Sequence, residues 1–387
     1  MLTVLRNLFR PPKQKAGFVF SRPLVLLQSD DWGRVGLRDR EGYEQLRAQG
    51  LRLGERPYDL YTLETADDVS AVASLLGRHH DSSGRPACMV MNTCTANFDF
   101  ARMRREDFAR VILLPLAKGL PERWTRSGLL EAYRDGVEKG VLYPAPHGMT
   151  HCCPVAIANA LAQAGERARL LKLLWDAETP YIYWRMPWVG YEYLNPEKPK
   201  AGFLSLGQQR DLVKKNCRNF SDLFGCPPVS TCAPGFRSNR DTHRAWSEDG
   251  ICVVQNGTGN GLRGPHFDEF GLLHLYRTID FEPSHRELEI DKYLEIAAVC
   301  FSRGIPMIVS VHSINFHSTV RDFRSATITG LDEFLSALEK KYPELLYVHD
   351  ADLYRIVTEG TFESHAATVK VKVDRCEWGD LARQEAF

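Results

Sequence analysis

The sequence predicts one enlarged α/β domain, barrel-like and mostly parallel, over about residues 18–360. Three observations predict it. Short apolar runs alternate with segments of helical period along the whole chain, the pattern of strands joined by crossover helices. No Gly/Ser-rich linker or break in composition divides the 387 residues, as a domain boundary would. Polar, chemistry-bearing residues stand where the apolar runs end, the position that parallel α/β folds give to functional groups.

Eight runs read as strands: Leu24–Gln28, Ala87–Cys94, Val141–Ala145, Val229–Ala233, Ile251–Gln255, Leu272–Thr278, Pro306–His312 and Leu345–Val348. Each is short and apolar, as strands covered on both faces are. Six segments read as helices: Ala66–His79, Arg126–Lys139, Val155–Ala177, Leu206–Phe224, Arg286–Ser302 and Gly330–Tyr342. The third repeats apolar residues every three to four positions and opens after Pro154, a good first-turn residue. The last places Leu331, Phe334, Leu335 and Leu338 on one face and stops at Pro343. From Gly360 the chain turns polar, with a brief alternation at Val369, Val371 and Val373. Residues 361–387 read as a tail or an edge strand.

The composition narrows the function classes. Lys+Arg and Asp+Glu are both 49, so the formal net charge is zero. That argues against a nucleic-acid binder, which needs a basic excess to release counterions. Hydrophobic residues at 44% and charged residues at 25% are ordinary globular usage. Apolar stretches are too short for a transmembrane helix. Arg6 and Arg10 interrupt the first apolar run, so it does not read as a signal peptide. Leu2, Leu5, Leu8 and Phe9 share a face with those arginines beside it, which suits a packed terminus or a peripheral membrane contact. None of the ten cysteines forms a C-x-x-C pair, and with no signal peptide they read as reduced thiols of a cytoplasmic protein.

Three strand ends bring a constellation to one rim. The first run ends in Ser29-Asp30-Asp31-Trp32-Gly33, the third in Pro146-His147-Gly148-Met149-Thr150-His151, and the seventh in His312, with Asn315 and His317 following. Adjacent carboxylates beside an apolar strand are costly unless paired or bound to a cation. His147 and His151 are spaced i, i+4, so both imidazoles can bite one metal. One carboxylate added to them makes a two-His, one-carboxylate set with positions left for water and substrate. The other aspartate is then a candidate general base. A different chemistry, Cys152 or Cys153 as nucleophile with His151 as base, is disfavoured because adjacent residues seldom face each other as required.

SDDWG, HGMTH, CAPGF and VHSINFH, in this order, resemble the motifs of the polysaccharide deacetylases, carbohydrate esterase family 4 with the NodB-homology fold. The resemblance runs from about residue 22 to 356. It implies a distorted (β/α) barrel of seven to eight mostly parallel strands with long loop insertions. It implies hydrolysis of an N-acetyl, less often O-acetyl, group on a sugar or glycan precursor, assisted by one divalent metal ion. Zinc is the first expectation, with nickel, cobalt, manganese or iron as alternatives. Carried over, Asp30 is the catalytic base and His312 the general acid, while Asp31, His147 and His151 hold the metal. Trp32, Pro234, Phe236 and Arg237, in or beside the motifs, are expected at the substrate. Another bond cut on the same barrel, or a non-catalytic glycan-binding protein, are the alternative functions.

The chain departs from the family pattern at two places. Gly148 stands where the second motif has Ser or Thr, and Thr150 is expected to supply the loop-fixing hydroxyl. Cys232 stands where the third motif has the arginine that holds the base, and Arg237 is expected to substitute. An aromatic insertion around residues 179–204 carries Tyr181, Tyr183, Trp184, Trp188, Tyr191 and Tyr193. Flat rings with polar handles suit sugars and also interfaces, and Trp184 and Trp188 are expected to contact substrate. Asn315 and His317 are expected to hydrogen-bond it. The glycine-rich stretch Asn256–Gly264 follows a strand and reads as a ligand-side loop or a plain turn. His266, His274 and His285 read as packing or surface residues.

Overall fold

The computed structural model describes residues 16–197, 202–364 and 367–377. The apolar face of Leu2, Leu5, Leu8 and Phe9 lies outside the described residues. No helix among those described is long and apolar enough to cross a membrane.

Nine strand segments frame the molecule: β1 (Leu24–Trp32), β2 (Met89–Thr93), β3 (Leu142–Pro146), β4 (Ser230–Cys232), β5 (Val253–Asn256), β6 (Leu273–Tyr276), β7 (Ile279–Asp280), β8 (Met307–His312) and β9 (Leu346–Tyr347). One sheet runs β7-β8-β1-β2-β3, with β9 beside the first residues of β1. A second runs β4-β5-β6, edged by the short antiparallel strand His266–Phe267. Every pairing among the nine labelled segments is parallel. The segment holding β6 and β7 passes from one sheet to the other: Arg277 N–H donates to Asn256 O and Thr278 N–H to Ile308 O. On the opposite side no ladder joins β3 to β4 among the described residues. There the Thr231 hydroxyl donates to Pro146 O at 3.0 Å. The sheets thus form a barrel-like wall with one open seam.

Strand alternation decides what fills this wall. On β1, Val25 and Leu27 pack outward against the helix layer, which includes Val69, Val72, Leu331 and Phe334. Leu24 and Leu26 join Ile308, Val253 and Leu275 in a second cluster. Further along β1 the alternating positions become polar, at Gln28 and Asp30, and both are buried. An apolar floor therefore carries a polar upper layer. The β1–β2 register shifts between Ser29 and Trp32, a bulge of the kind that re-aims side chains.

The helices fit the periodicity with instructive exceptions. Leu206–Phe224 forms as expected, its start fixed by reciprocal bonds between Ser205 and Gln208. The single helix expected over Val155–Ala177 is two, Pro154–Ala162 and Glu166–Asp176. Ala164 adopts a left-handed φ of 49° ahead of Gly165, which ends the first helix as such residues do. Arg40–Ala48 and Arg240–Glu248 are additional helices, mostly polar and so carrying few apolar residues to mark them. Their caps, Asp39 and Asn239, accept the N–H of Gly42 and Thr242. After Gly360 the chain makes a small antiparallel pair, and Val373–Glu377 then pairs antiparallel with Ala16–Phe20.

Candidate active site

The bulge in β1 sets Asp30 and Asp31 into the upper layer. Asp31 takes a left-handed φ of 75°, a conformation that costs a non-glycine residue energy and needs support. The Tyr61 hydroxyl supplies it by donating to Asp31 O at 2.7 Å.

Asp30 is 1% exposed, and both of its oxygens accept hydrogen bonds. Arg277 Nη1 donates to Oδ2 at 2.7 Å, and Nη2 donates to Oδ1 at 2.5 Å. Asn92 Nδ2 donates to Oδ1 at 2.7 Å. Burial raises the pKa of Asp30, but Arg277, His147 and His312 outweigh it and hold the carboxyl well below the usual range. The arginine that grips this aspartate is therefore Arg277, at the end of β6, and not Arg237. Arg237 lies over the Tyr191 ring instead, 5.7 Å from its centroid. The Cys232 thiol takes a lateral place, 3.9 Å from Asp30 Oδ2.

Asp31 Oδ1 faces two imidazoles, at 3.6 Å from His147 Nε2 and 3.4 Å from His151 Nε2. It is buried with no hydrogen-bond partner among the described residues. Asp31 Oδ2 accepts from Arg34 Nη2 at 3.1 Å and from the Tyr58 hydroxyl at 3.4 Å. Burial pushes His147 down, and pushes His151 down to about 3, so both rings are neutral. His147 Nδ1 lies 2.9 Å from Cys232 O. Asp31, His147 and His151 together form a candidate ligand group, buried throughout.

The turn between the histidines is fixed differently from expectation. The Thr150 hydroxyl lies 3.3 Å from Cys152 Sγ. The loop amides instead bond to Glu192 in the aromatic insertion. Burial raises the Cys152 thiol above its ordinary range, which removes the thiolate that a nucleophile needs.

His312, at the end of β8, faces Asp30 across the cavity, with Nε2 3.9 Å from Oδ2. Its Nδ1 lies 2.6 Å from Glu282 Oε1. Burial opposes the charged ring, but Glu282 and the two aspartates push its pKa up to about 9. Asn315 holds Glu282 in place, with Nδ2 donating to Oε2 at 2.6 Å. Asn315 is fully buried, so it acts behind the cavity wall.

These groups open into a cavity of about 460 Å³. Its wall also carries Tyr58, Trp184, Tyr191, Phe236, His285 and Arg286. Trp184 is half exposed at this wall. Other residues expected at the substrate lie elsewhere. Trp32 is buried, stacked on Phe316, with its Nε1 donating to the Ser29 hydroxyl. His317 is buried, 3.4 Å from Glu64. Trp188 packs on Arg167, and Pro234 is buried beside the Gly148 turn. Thr258, in the glycine-rich stretch, reaches the cavity wall, as does His285, for which the sequence predicts a packing or surface role.

Sequence reasoning missed Arg277, Glu282, Arg34 and Glu192. Arg277 follows the apolar run LLHLY, so the strand-end rule that found Asp30 and His312 would have found it. Glu282 follows β7 by two residues, but that strand is too short to announce itself. Glu192 carries no local signal, because its partners are backbone amides of a distant turn.

No family model matches this chain, and no curated protein does. Among solved structures it is similar to a putative polysaccharide deacetylase from Mycobacterium smegmatis, at 11% identity and a TM-score of 0.47, covering 90% of this chain and 92% of that chain. It is similar to a family 4 carbohydrate esterase from Streptomyces lividans, solved with acetate, at 9% identity and a TM-score of 0.35, covering 85% and 92%. It is also similar to a carbohydrate esterase family 4 pseudoenzyme from Bacillus anthracis, at 10% identity and a TM-score of 0.35, covering 84% and 63%. Likenesses at these scores carry no functional weight, which falls on the residues of the site.

Proposed function

We propose that this chain is a divalent-metal-dependent hydrolase that removes an acetyl group from an N-acetylated, or O-acetylated, sugar or glycan precursor. One observation carries the reading. His147 Nδ1 faces a carbonyl oxygen, which only accepts, so Nδ1 holds the ring proton. The neutral ring then turns the lone pair of Nε2 toward Asp31 Oδ1, a buried acceptor without a donor among the described residues. Two acceptors facing each other repel unless a cation lies between them, and His151 Nε2 joins the same oxygen from a second side. The mixed nitrogen and oxygen set suits zinc, and also nickel, cobalt, manganese or iron.

A divalent ion held by Asp31, His147 and His151 supplies a water of lowered pKa and polarises a carbonyl oxygen. Asp30, kept ionised by Arg277, accepts the proton of the attacking water. His312, kept protonated by Glu282, gives its proton to the departing amine or alcohol. Tyr58, Trp184, Tyr191 and Phe236 offer ring faces for the sugar. The test is metal content by plasma mass spectrometry together with acetate release from N-acetylated sugars. The expected result is one equivalent of divalent metal and turnover, both lost in Asp31→Ala and His147→Ala. Protein without metal, or activity that survives both substitutions, would end this reading.

A further inference from the structure

The turn carrying His147 and His151 is built around a carboxylate from another segment. Glu192 is 1% exposed. Its Oε1 accepts the backbone N–H of Met149 at 3.2 Å, and Oε2 accepts that of Thr150 at 3.3 Å. The N–H of His151 bonds to the same group. Three successive amides converging on one carboxyl group form a nest; burial pushes the pKa of Glu192 up to about 7, and the three N–H bonds oppose that rise. Such a turn uses left-handed residues, here Gly148 at φ 72° and His151 at φ 64°. For His151 that conformation is strained and persists only where surrounding bonds impose it.

The space is fitted to the same arrangement. A Cβ on Gly148 would stand 3.0 Å from Pro234 Cγ and 3.1 Å from Glu192 Oε2. A serine or threonine in this backbone would crowd the carboxylate. Two further bonds tie the insertion to the turn: the Tyr181 hydroxyl donates to Thr150 O at 2.9 Å, and Cys153 N–H donates to Val189 O at 2.9 Å.

We infer that Glu192 is a positioning residue, which holds the His147–His151 turn in its strained form so that both imidazoles face Asp31. The aromatic insertion is then a brace for the ligand group as well as part of the cavity wall. Glycine at 148 and glutamate at 192 act as a pair, one clearing the space that the other fills. The metal part of this inference rests on the proposed function; the turn part does not.

The test is hydrogen exchange on metal-free protein, followed by zinc titration against a competing chelator. Glu192→Gln keeps the shape but replaces one acceptor with an amide donor. The expected result is exchange at Met149, Thr150 and His151 at least about tenfold faster, with the helix Leu206–Phe224 unchanged, and zinc affinity weaker by about 10- to 100-fold. Should that variant not fold, Glu192→Asp withdraws the carboxylate by one methylene and gives a smaller acceleration at the same amides. Unchanged exchange at the three amides in the folded variant overturns the inference. Faster exchange with unaltered zinc affinity overturns its metal part. If the wild type itself takes up no zinc, the proposed metal site fails, while exchange alone still decides the role of Glu192.

Discussion

Arg277 and Asp30 form a two-pronged ion pair at the cavity floor, with both side chains almost wholly buried. Gln28 and Gln255 extend it, each accepting a bond from the same guanidinium. Removing one member of such a pair strands the other charge. Arg277→Met is therefore expected to cost about 3–5 kcal/mol of unfolding free energy, measured by urea titration. Arg277→Lys keeps the charge but loses the fork, and is expected to cost less stability while still lowering turnover. A loss below about 1 kcal/mol for Arg277→Met contradicts this account.

Glu282 sets the charge of His312. The ring, pushed up to about 9, is protonated through neutral pH. A reaction that needs its proton declines as pH rises through about 9. Glu282→Gln removes the main cause of the raised pKa, so the alkaline limb of kcat is expected to move toward neutral pH. Imidazole nitrogen NMR of the variant is expected to show the same downward movement. An unmoved limb would mean that another group sets it.

The two tryptophans of the insertion are expected to behave differently. Trp184 stands at the cavity wall, half exposed. Trp184→Ala is expected to raise KM by roughly 2- to 10-fold, the worth of one ring contact, and to leave Tm nearly unchanged. Trp188 packs on Arg167, away from the cavity. Trp188→Ala is expected to leave KM alone and lower Tm. Steady-state kinetics and a thermal melt on the same preparations separate the two.

His79 gives the fold a pH dependence remote from the cavity. Its Nδ1 lies 3.1 Å from Glu339 and its Nε2 3.1 Å from Asp332, which Arg78 also contacts. Burial lowers its pKa, but the two carboxylates outweigh it and raise the value above 6.5. The contribution is therefore fully present below pH 6.5 and is lost as pH rises through the folded value. The stability gap between wild type and His79→Gln is expected to be widest between about pH 5 and 6.5 and to narrow above it. Denaturant melts across that range measure it, and a gap that widens with pH refutes the sign.

What the sequence discloses follows the physics of each signal. Eight apolar runs foretell the main strands because each is buried on both faces. Asp30, His147 and His312 are legible because they stand at strand ends. The break at Ala164 is hidden in a helix whose apolar spacing survives it. The motifs place Trp32 and His317 next to site residues in the sequence, but adjacency does not report direction: Trp32 follows a bulge and turns into the core. Glu192 is invisible for the opposite reason, since a carboxylate that serves backbone amides needs no patterned partner.

The strand order has a consequence for how this chain is made. β1 precedes β8 and β9 in the chain, yet one of its edges pairs with β8, and β9 lies beside its first residues. Until those late segments leave the ribosome, LVLLQ has an unpaired, apolar flank open to strangers. The nascent chain must be shielded, or fold slowly, as long-range parallel pairings do. Asp30 cannot meet His312 until β8 has been made, so the two groups come together only after all the chain between them exists.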